Sequence, residues 1–194
     1  MKTMESNTVD SGKDRLPLLA VKAPDHENLN LHLSEFLLAM ASSVPDRVSN
    51  QASGQPYFKN KWLSRTELHK TEDPRLQQFV EFVEQTANRQ ALQSEAGARL
   101  AVMSMWCMVS KPGLVGKRHN HRGRVSTVYY VDTGHSGSQY GGLLQFFMSP
   151  GHSQPTHSID PETGVLYLFP SSLQHSVSRY DGEQPRIVIS SNLA

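Results

Sequence analysis

Three histidines hold the chemistry that this sequence offers first. His119 and His121 flank one asparagine in Lys117-Arg118-His119-Asn120-His121, and His175 comes much later, after Pro161-Glu-Thr-Gly164-Val-Leu-Tyr-Leu-Phe-Pro170. On an extended strand side chains alternate between faces, so residues two apart point the same way, with Cα atoms about 6.6–6.8 Å apart. Two imidazoles on one face, joined by a third from a later strand, make a candidate metal site. Imidazole binds iron, copper, nickel and zinc alike, so the spacing does not name the metal. Lys117, Arg118, Arg122 and Arg124 surround the pair. Such a run is either a solvated loop or an anion anchor. As an anchor, Arg122 or Arg124 would hold a carboxylate or phosphate on the substrate, with Arg122 the candidate named here. The expected substrate is then a small anion, such as a free amino acid, rather than a neutral lipid or a nucleic acid.

The other titratable and nucleophilic groups read more plainly. His26, His32, His69, His135, His152 and His157 have no partner spacing and are expected to be solvated or hydrogen-bonded. Cys107 sits inside the apolar run Ala101-Val-Met-Ser-Met-Trp-Cys-Met-Val109, where a free cysteine packs as a small hydrophobe. A lone cysteine forms no internal disulfide and suits a reducing cytoplasm. The chain has 194 residues, a formal net charge of +1 and 37% apolar residues. That charge argues against a generally basic nucleic-acid binder, and the length suits one domain. No apolar run approaches the ~20 residues that span a bilayer, and residues 1–15 lack an apolar signal core. The expected protein is cytoplasmic, free of membrane partners, and a monomer or homodimer.

The elements that must position the histidines come mostly after residue 99. Residues 1–15 have little to bury and are expected as a disordered lead; residues 16–194 are expected as a single domain. Leu16–Val21 is a strand candidate. Leu31, Leu33, Phe36, Leu37 and Met40 follow a helical stripe ending before Pro45. Residues 44–58 read as loop. Asp73 can cap a second helix with Pro74 in its first turn and Leu76, Phe79, Val80 and Val83 as its apolar face. Both helices are expected outside a sheet. Arg99–Val109 reads as a strand apolar on both faces, and Ser126–Val131, Gly142–Met148, Val165–Phe169 and Arg186–Ser190 as further strands. A long loop is expected over residues 149–164. Consecutive strands without intervening helices favour a sandwich or jelly roll.

In order, these signals resemble the iron(II)/2-oxoglutarate-dependent oxygenases, in particular a bacterial and phage subgroup of that superfamily. The resemblance rests on Trp106, His119 and His121, Ser126-Thr-Val-Tyr-Tyr-Val131, Pro161–Ser171, His175 and Arg186-Ile-Val-Ile-Ser-Ser-Asn192, and covers roughly residues 58–194. It implies a mainly β fold with flanking helices, a double-stranded β-helix of the cupin-like jelly-roll kind. It implies iron(II), 2-oxoglutarate as cosubstrate and O₂, and oxidation of a C–H bond on a small molecule. It further implies that His119, His121 and His175 are the metal ligands and catalytic centre. Arg186 matches the position that pairs with the far carboxylate of the cosubstrate, and Tyr130 a position whose hydroxyl shares it. Alternation puts Tyr130 with Ser126 and Val128, and Arg186 with Val188, Ser190 and Asn192, on single faces expected to line the barrel mouth. Ser190 and Asn192 are therefore included with the cosubstrate-binding residues.

One departure stands out. The superfamily's usual first motif is H-x-D or H-x-E, whereas the slot after His119 and Asn120 holds His121. Three arrangements remain open from sequence: a three-histidine triad, His121 as first ligand with Gly123 in an open carboxylate slot, or a carboxylate such as Asp132. Two other functions also remain open: a 2-oxoglutarate-independent three-histidine dioxygenase of the cupin kind, and a non-catalytic jelly-roll binding domain.

Overall fold

Side-chain alternation on four adjacent strands decides how this chain is layered. The computed structural model describes residues 16–48, 60–91, 99–149, 151 and 153–194. The lead expected at residues 1–15, most of the loop expected at 44–58, and His152 lie outside those residues. The strands are β1 (Leu19–Lys22), β2 (Lys61–Leu63), β3 (Val102–Ser110), β4 (Leu114–His119), β5 (Val125–Asp132), β6 (Leu144–Phe147), β7 (His157–Ile159), β8 (Val165–Pro170), β9 (Gln174–Tyr180) and β10 (Arg186–Leu193). The helices are α1 (His26–Ser43) and α2 (Pro74–Ala91), with a short 3₁₀ turn at Leu68–Lys70. One antiparallel sheet runs β1-β8-β5-β10-β3-β2, the other β4-β9-β6-β7. This is the mainly β, double-stranded β-helix architecture with flanking helices that the sequence led us to expect.

The larger sheet is buried on both faces, by different partners. On its outer face Met105, Cys107, Val109, Tyr129, Val131, Leu166, Leu168, Ile187 and Ile189 meet Leu33 and Leu37 of α1 and Leu76, Phe79 and Val83 of α2. Each of those helix side chains is essentially removed from water, stabilising the fold by ~1.5–3 kcal/mol apiece. On its inner face Val128, Tyr130, Val165, Tyr167, Phe169 and Val188 meet Leu144 and Phe146 of the smaller sheet. Asp73 caps α2 by accepting the Leu76 N–H at 2.8 Å, as its position before Pro74 predicted.

The departures from expectation have local causes. α1 starts five residues earlier than its expected stripe, so its core face is Leu29, Leu33 and Leu37, while Leu31 is 63% exposed. β1 pairs Leu19 with Leu168, a shift from the expected 16–21. β3 is not apolar on both faces: Met105, Cys107 and Val109 are buried under the helices, whereas the opposite face carries Ser104 and Ser110 beside Trp106 and Met108. β2 and β7 have no counterpart in the expected elements, and β4 and β9 correspond to the strands expected, without bounds, to carry His119 and His175. β7 divides the long loop expected at 149–164, and β9 is mostly polar, Gln-His-Ser-Val-Ser-Arg-Tyr. Gly116, read as a strand breaker, lies inside β4, where a Cβ would stand 2.9 Å from Val177 Cβ of β9. The glycine permits close approach of the two backbones rather than ending the strand.

Candidate metal centre and anion slot

The smaller sheet delivers two of the histidines and a turn delivers the third. His119 closes β4 and lies directly opposite His175 of β9 in the antiparallel register. His121 falls beyond β4, so shared strand parity is not what aims it; its N–H donates to the Ser171 carbonyl at 2.9 Å, which turns it back toward the pair. The rings converge, with centroids 4.4 Å (His119–His175), 4.8 Å (His119–His121) and 5.0 Å (His121–His175) apart. One nitrogen from each lies within 4.8 Å of the others. The Nδ1–H of His119 donates to the Lys117 carbonyl at 2.6 Å, and that of His175 to the Leu173 carbonyl at 3.0 Å. A carbonyl can only accept, so both rings keep their Nε2 lone pair for the centre.

Burial grades across the cluster from exposed His119, through His121, to His175 at 6% exposure. Desolvation, with the neighbouring His119 adding to it, pushes the pKa of His121 down to about 4. Desolvation also brings His175 down to about 4, against the opposing hydrogen bond to Leu173. Both rings are therefore neutral at physiological pH, which is the form that binds metal. Three imidazoles in one cluster fit a divalent ion such as iron(II). Among the described residues no carboxylate joins this group. Asp132 accepts from the Gly134 N–H at 2.7 Å and lines an ≈ 820 Å³ groove beside α1, with Asn30 and Glu162. A Cβ on Gly123 would meet Leu193 O, Met103 and Ser171, not the imidazoles. The geometry thus gathers His119, His121 and His175, and among the described residues Asp132 is not part of that cluster.

Deeper in the same lumen lies a second polar cluster. Arg186, the first residue of β10, is 1% exposed, and Tyr130 of β5 is fully buried. The Nη2 of Arg186 donates to the Tyr130 hydroxyl at 3.2 Å, and its guanidinium carbon lies 4.9 Å from the Tyr130 ring centroid. A register shift in the β10–β5 pairing, between Ile187 and Val188, falls beside this contact. Arg186 Nε and Nη1 are buried with no partner. Burial raises the Tyr130 pKa, against the opposing pull of Arg186, so the phenol stays protonated and keeps its hydrogen to donate. A buried slot whose unmet groups are all donors calls for an acceptor such as a carboxylate.

The remaining sequence candidates divide. Ser190 lies on the inner face between Val128 and Trp106. Asn192 accepts from Ser126 Oγ at 2.8 Å and donates to Ser104 Oγ at 3.3 Å, so its amide is held by neighbouring side chains. Arg118 donates to Gln174 Oε1 and packs over Phe147, 4.1 Å from its centroid. Arg122 and Arg124 are exposed just past His121. From residue 99 to 131 the sequence has Arg99, Lys111, Lys117, Arg118, Arg122 and Arg124 but no acidic residue. Of these, exposed Lys117, Arg122 and Arg124 flank the histidine pair on a nearly neutral chain.

Sequence reasoning left Trp106 unassigned, yet its ring lies 5.5 Å from that of His121, with the Arg47 guanidinium 5.9 Å above it. Even spacing from Ser104 along β3 was the available signal for the inner face. Phe169 and Phe146, 4.8 and 6.4 Å from the His175 ring, complete the wall and were read only as strand residues.

Residues 104–192, from β3 to the end of β10, match the family described as "Putative 2OG-Fe(II) oxygenase". No curated protein matches the chain in sequence. A prolyl-4-hydroxylase from Pseudomonas putida superposes with TM-score 0.66 at 16% identity, covering 91% of this chain and 91% of its own. AviO1 from Streptomyces viridochromogenes Tue57 gives 0.66 at 14% identity, over 93% and 90%. HygX from Streptomyces hygroscopicus, with nickel and 2-oxoglutarate bound, gives 0.63 at 10%, over 92% and 83%. At these identities the likeness is one of fold.

Proposed function

We propose that this chain, a 2OG-Fe(II) oxygenase by its family match over residues 104–192, holds iron(II) on His119, His121 and His175 and 2-oxoglutarate against Arg186 and Tyr130. The observation that carries the reading is the pairing, in one lumen, of three imidazoles without a carboxylate and a buried slot of unmet donors. When bound, the iron supplies the coupling of 2-oxoglutarate and O₂, giving succinate and CO₂, to insertion of the second oxygen atom into a substrate C–H bond. The chain's own residues do the positioning. His119 and His175 are oriented by their carbonyl partners, and His121 by the Ser171 carbonyl. Arg186 and Tyr130 fix the far end of the cosubstrate. Phe146, Phe169 and Trp106 wall the centre and limit the water that reaches it. Ser190 lies between the two sites, and Asn192 braces the adjoining strands.

The substrate in this reading is a small anion, an amino acid or a natural-product intermediate, drawn by Lys117, Arg122 and Arg124 and held through its carboxylate by Arg122. HygX has also been solved with hygromycin B bound, which supports a small molecule as substrate for this fold. Residues 16–194 act as one catalytic unit, monomeric or homodimeric, in a reducing cytoplasm where the buried free Cys107 stays a thiol. No described helix is long and apolar enough to cross a membrane.

The test is succinate release from 2-oxoglutarate by iron-loaded protein with ascorbate, followed by a metabolite library read the same way. A three-histidine dioxygenase independent of 2-oxoglutarate is the second reading, favoured by the missing carboxylate. Oxygen uptake with a substrate but without 2-oxoglutarate would decide for it. Metal binding with no turnover of any kind would leave a binding domain. For the anion anchor, a substrate acid and its methyl ester are compared in wild type and Arg122→Ala; equal treatment by both proteins removes the anchor.

A further inference from the structure

We infer that Ser110 is a cosubstrate-binding residue whose hydroxyl donates to the far carboxylate of 2-oxoglutarate, so that the slot selects a dicarboxylic over a monocarboxylic 2-oxoacid. The inference rests on the function proposed above. Ser110 is the last residue of β3 and lies directly opposite Arg186 in the β10–β3 register. Directly opposed residues of an antiparallel pair share a face, with Cβ atoms about 4.5–5.5 Å apart. That face is the inner one: the same register pairs Asn192 with Ser104, whose side chains are bonded, and Ser190 with Trp106, which flanks His121.

Ser110 is 0% exposed, and its Oγ has no hydrogen-bond partner. A buried hydroxyl left unpaired bears its full desolvation cost, which alanine or valine would not incur here. Among the described residues, the other unpaired buried polar side-chain atoms, on Asn30, His69 and Ser136, belong to other parts of the chain, whereas Ser110 Oγ, Arg186 Nε and Arg186 Nη1 share one cross-strand pair. Tyr130 adds its hydroxyl hydrogen, because its oxygen already accepts from Arg186. All of these groups can donate. A carboxylate has two oxygens with about four lone-pair sites, so one such group can accept from one edge of the Arg186 guanidinium, from Tyr130 and from Ser110 together.

The experiment measures binding rather than turnover. The full chain, loaded with nickel(II), is titrated calorimetrically with 2-oxoglutarate and with 2-oxopentanoate, which has the same length but no far carboxylate. Wild type is expected to favour 2-oxoglutarate. Ser110→Ala should weaken 2-oxoglutarate about 10- to 100-fold, as expected for loss of a hydrogen bond to a charged group, and leave 2-oxopentanoate within about twofold. Ser110→Cys, which keeps the shape but donates weakly, should follow Ser110→Ala, and it serves in its place if the alanine variant does not fold. Variants that bind 2-oxoglutarate like wild type overturn the inference and leave the proposed function standing; the hydroxyl then meets only water. Equal loss for both acids also overturns it, since a packing defect would do that. A wild type that binds neither acid overturns the proposed function and this inference with it.

Discussion

Replacing Arg186 by methionine should weaken binding without a comparable loss of stability. In the free protein the guanidinium is 1% exposed, with two unmet nitrogens and a single hydrogen bond, to Tyr130. Replacing buried ionic groups by apolar side chains of similar volume is often neutral or stabilising by ~1–4 kcal/mol. Loss of the Tyr130 hydrogen bond and of the cation–ring contact takes back ~1–2 kcal/mol. The balance runs from a loss of ~1 to a gain of ~3 kcal/mol, so the melting temperature falls by no more than ~4 °C and rises by up to ~10 °C in a domain of this size. The same change leaves a bound carboxylate unpaired in a buried slot, which should cost ~2–5 kcal/mol, or ~30-fold to several-thousand-fold in affinity. At a concentration of 100 times the wild-type Kd, 2-oxoglutarate stabilises wild type by ~2.7 kcal/mol, about 5–11 °C, and Arg186→Met by less than ~1 kcal/mol. Thermal unfolding of nickel-loaded protein, with and without 2-oxoglutarate, reads both effects. A variant that melts well below wild type without ligand, yet gains the full ligand shift, would refute the account of this slot.

Three further outcomes follow from separate parts of the molecule. His121→Ala should lower divalent-metal affinity by more than ~100-fold, beyond the ~10–100-fold typical of outer-shell partners, and abolish turnover; full iron content by metal analysis would remove the three-histidine set. Asp73→Ala should cost ~1 kcal/mol or more at neutral pH by removing the α2 cap. Burial tends to raise the Asp73 pKa, but the Leu76 N–H and His32 outweigh it and hold it below the usual value. That stabilisation is present above the unfolded-state pKa near 4 and is lost as pH falls through the lower folded value, so Asp73→Asn should keep most of the cap but flatten this acid limb in pH-dependent unfolding. Gly141→Ala, at φ +68 with its Cβ 1.8 Å from the Arg179 carbonyl oxygen, should destabilise by more than ~2 kcal/mol, whereas Gly151→Ala, with nothing within 4 Å, should stay within ~0.5 kcal/mol by denaturant melts.

What was legible in the sequence depended on which face a residue used. β5, β8 and β10 are buried on both faces, so their runs of Val, Ile, Leu, Tyr and Phe announce strands without regard to register. The smaller sheet is more open, and β4 and β9 carry Lys, Arg, Gln and Ser between their histidines, so their hydropathy gives no strand signal. The histidine set was legible by type, but the reason for its convergence was not. The pairing of β4 with β9 sets His119 opposite His175, whereas His121 is aimed by a turn held to Ser171, and both are tertiary contacts. The place of Ser110 and the role of Trp106 are not legible, because a serine at a strand end and a tryptophan in an apolar run are ordinary. Only the pairing of β3 with β10 sets them beside Arg186 and His121.

The strands that build the outer core and those that furnish the lumen are the same strands, read on alternate residues. This makes β10 intolerant of a change in length rather than of a change in composition. One residue inserted ahead of Ser190 would send Arg186 into the oily layer under α1 and α2 and bring Ile187 into the lumen. Substitutions can accumulate one at a time within each face, but an insertion or deletion inside β3, β5 or β10 exchanges both faces at once. Natural variation in this lineage should therefore concentrate at the strand ends and in the exposed segment around Arg122 and Arg124, where a new side chain alters what enters the mouth without disturbing the register. A single-residue insertion scan scored by folding yield would show that pattern as sharp gaps over the three strands. In this architecture evolvability lies in the rim.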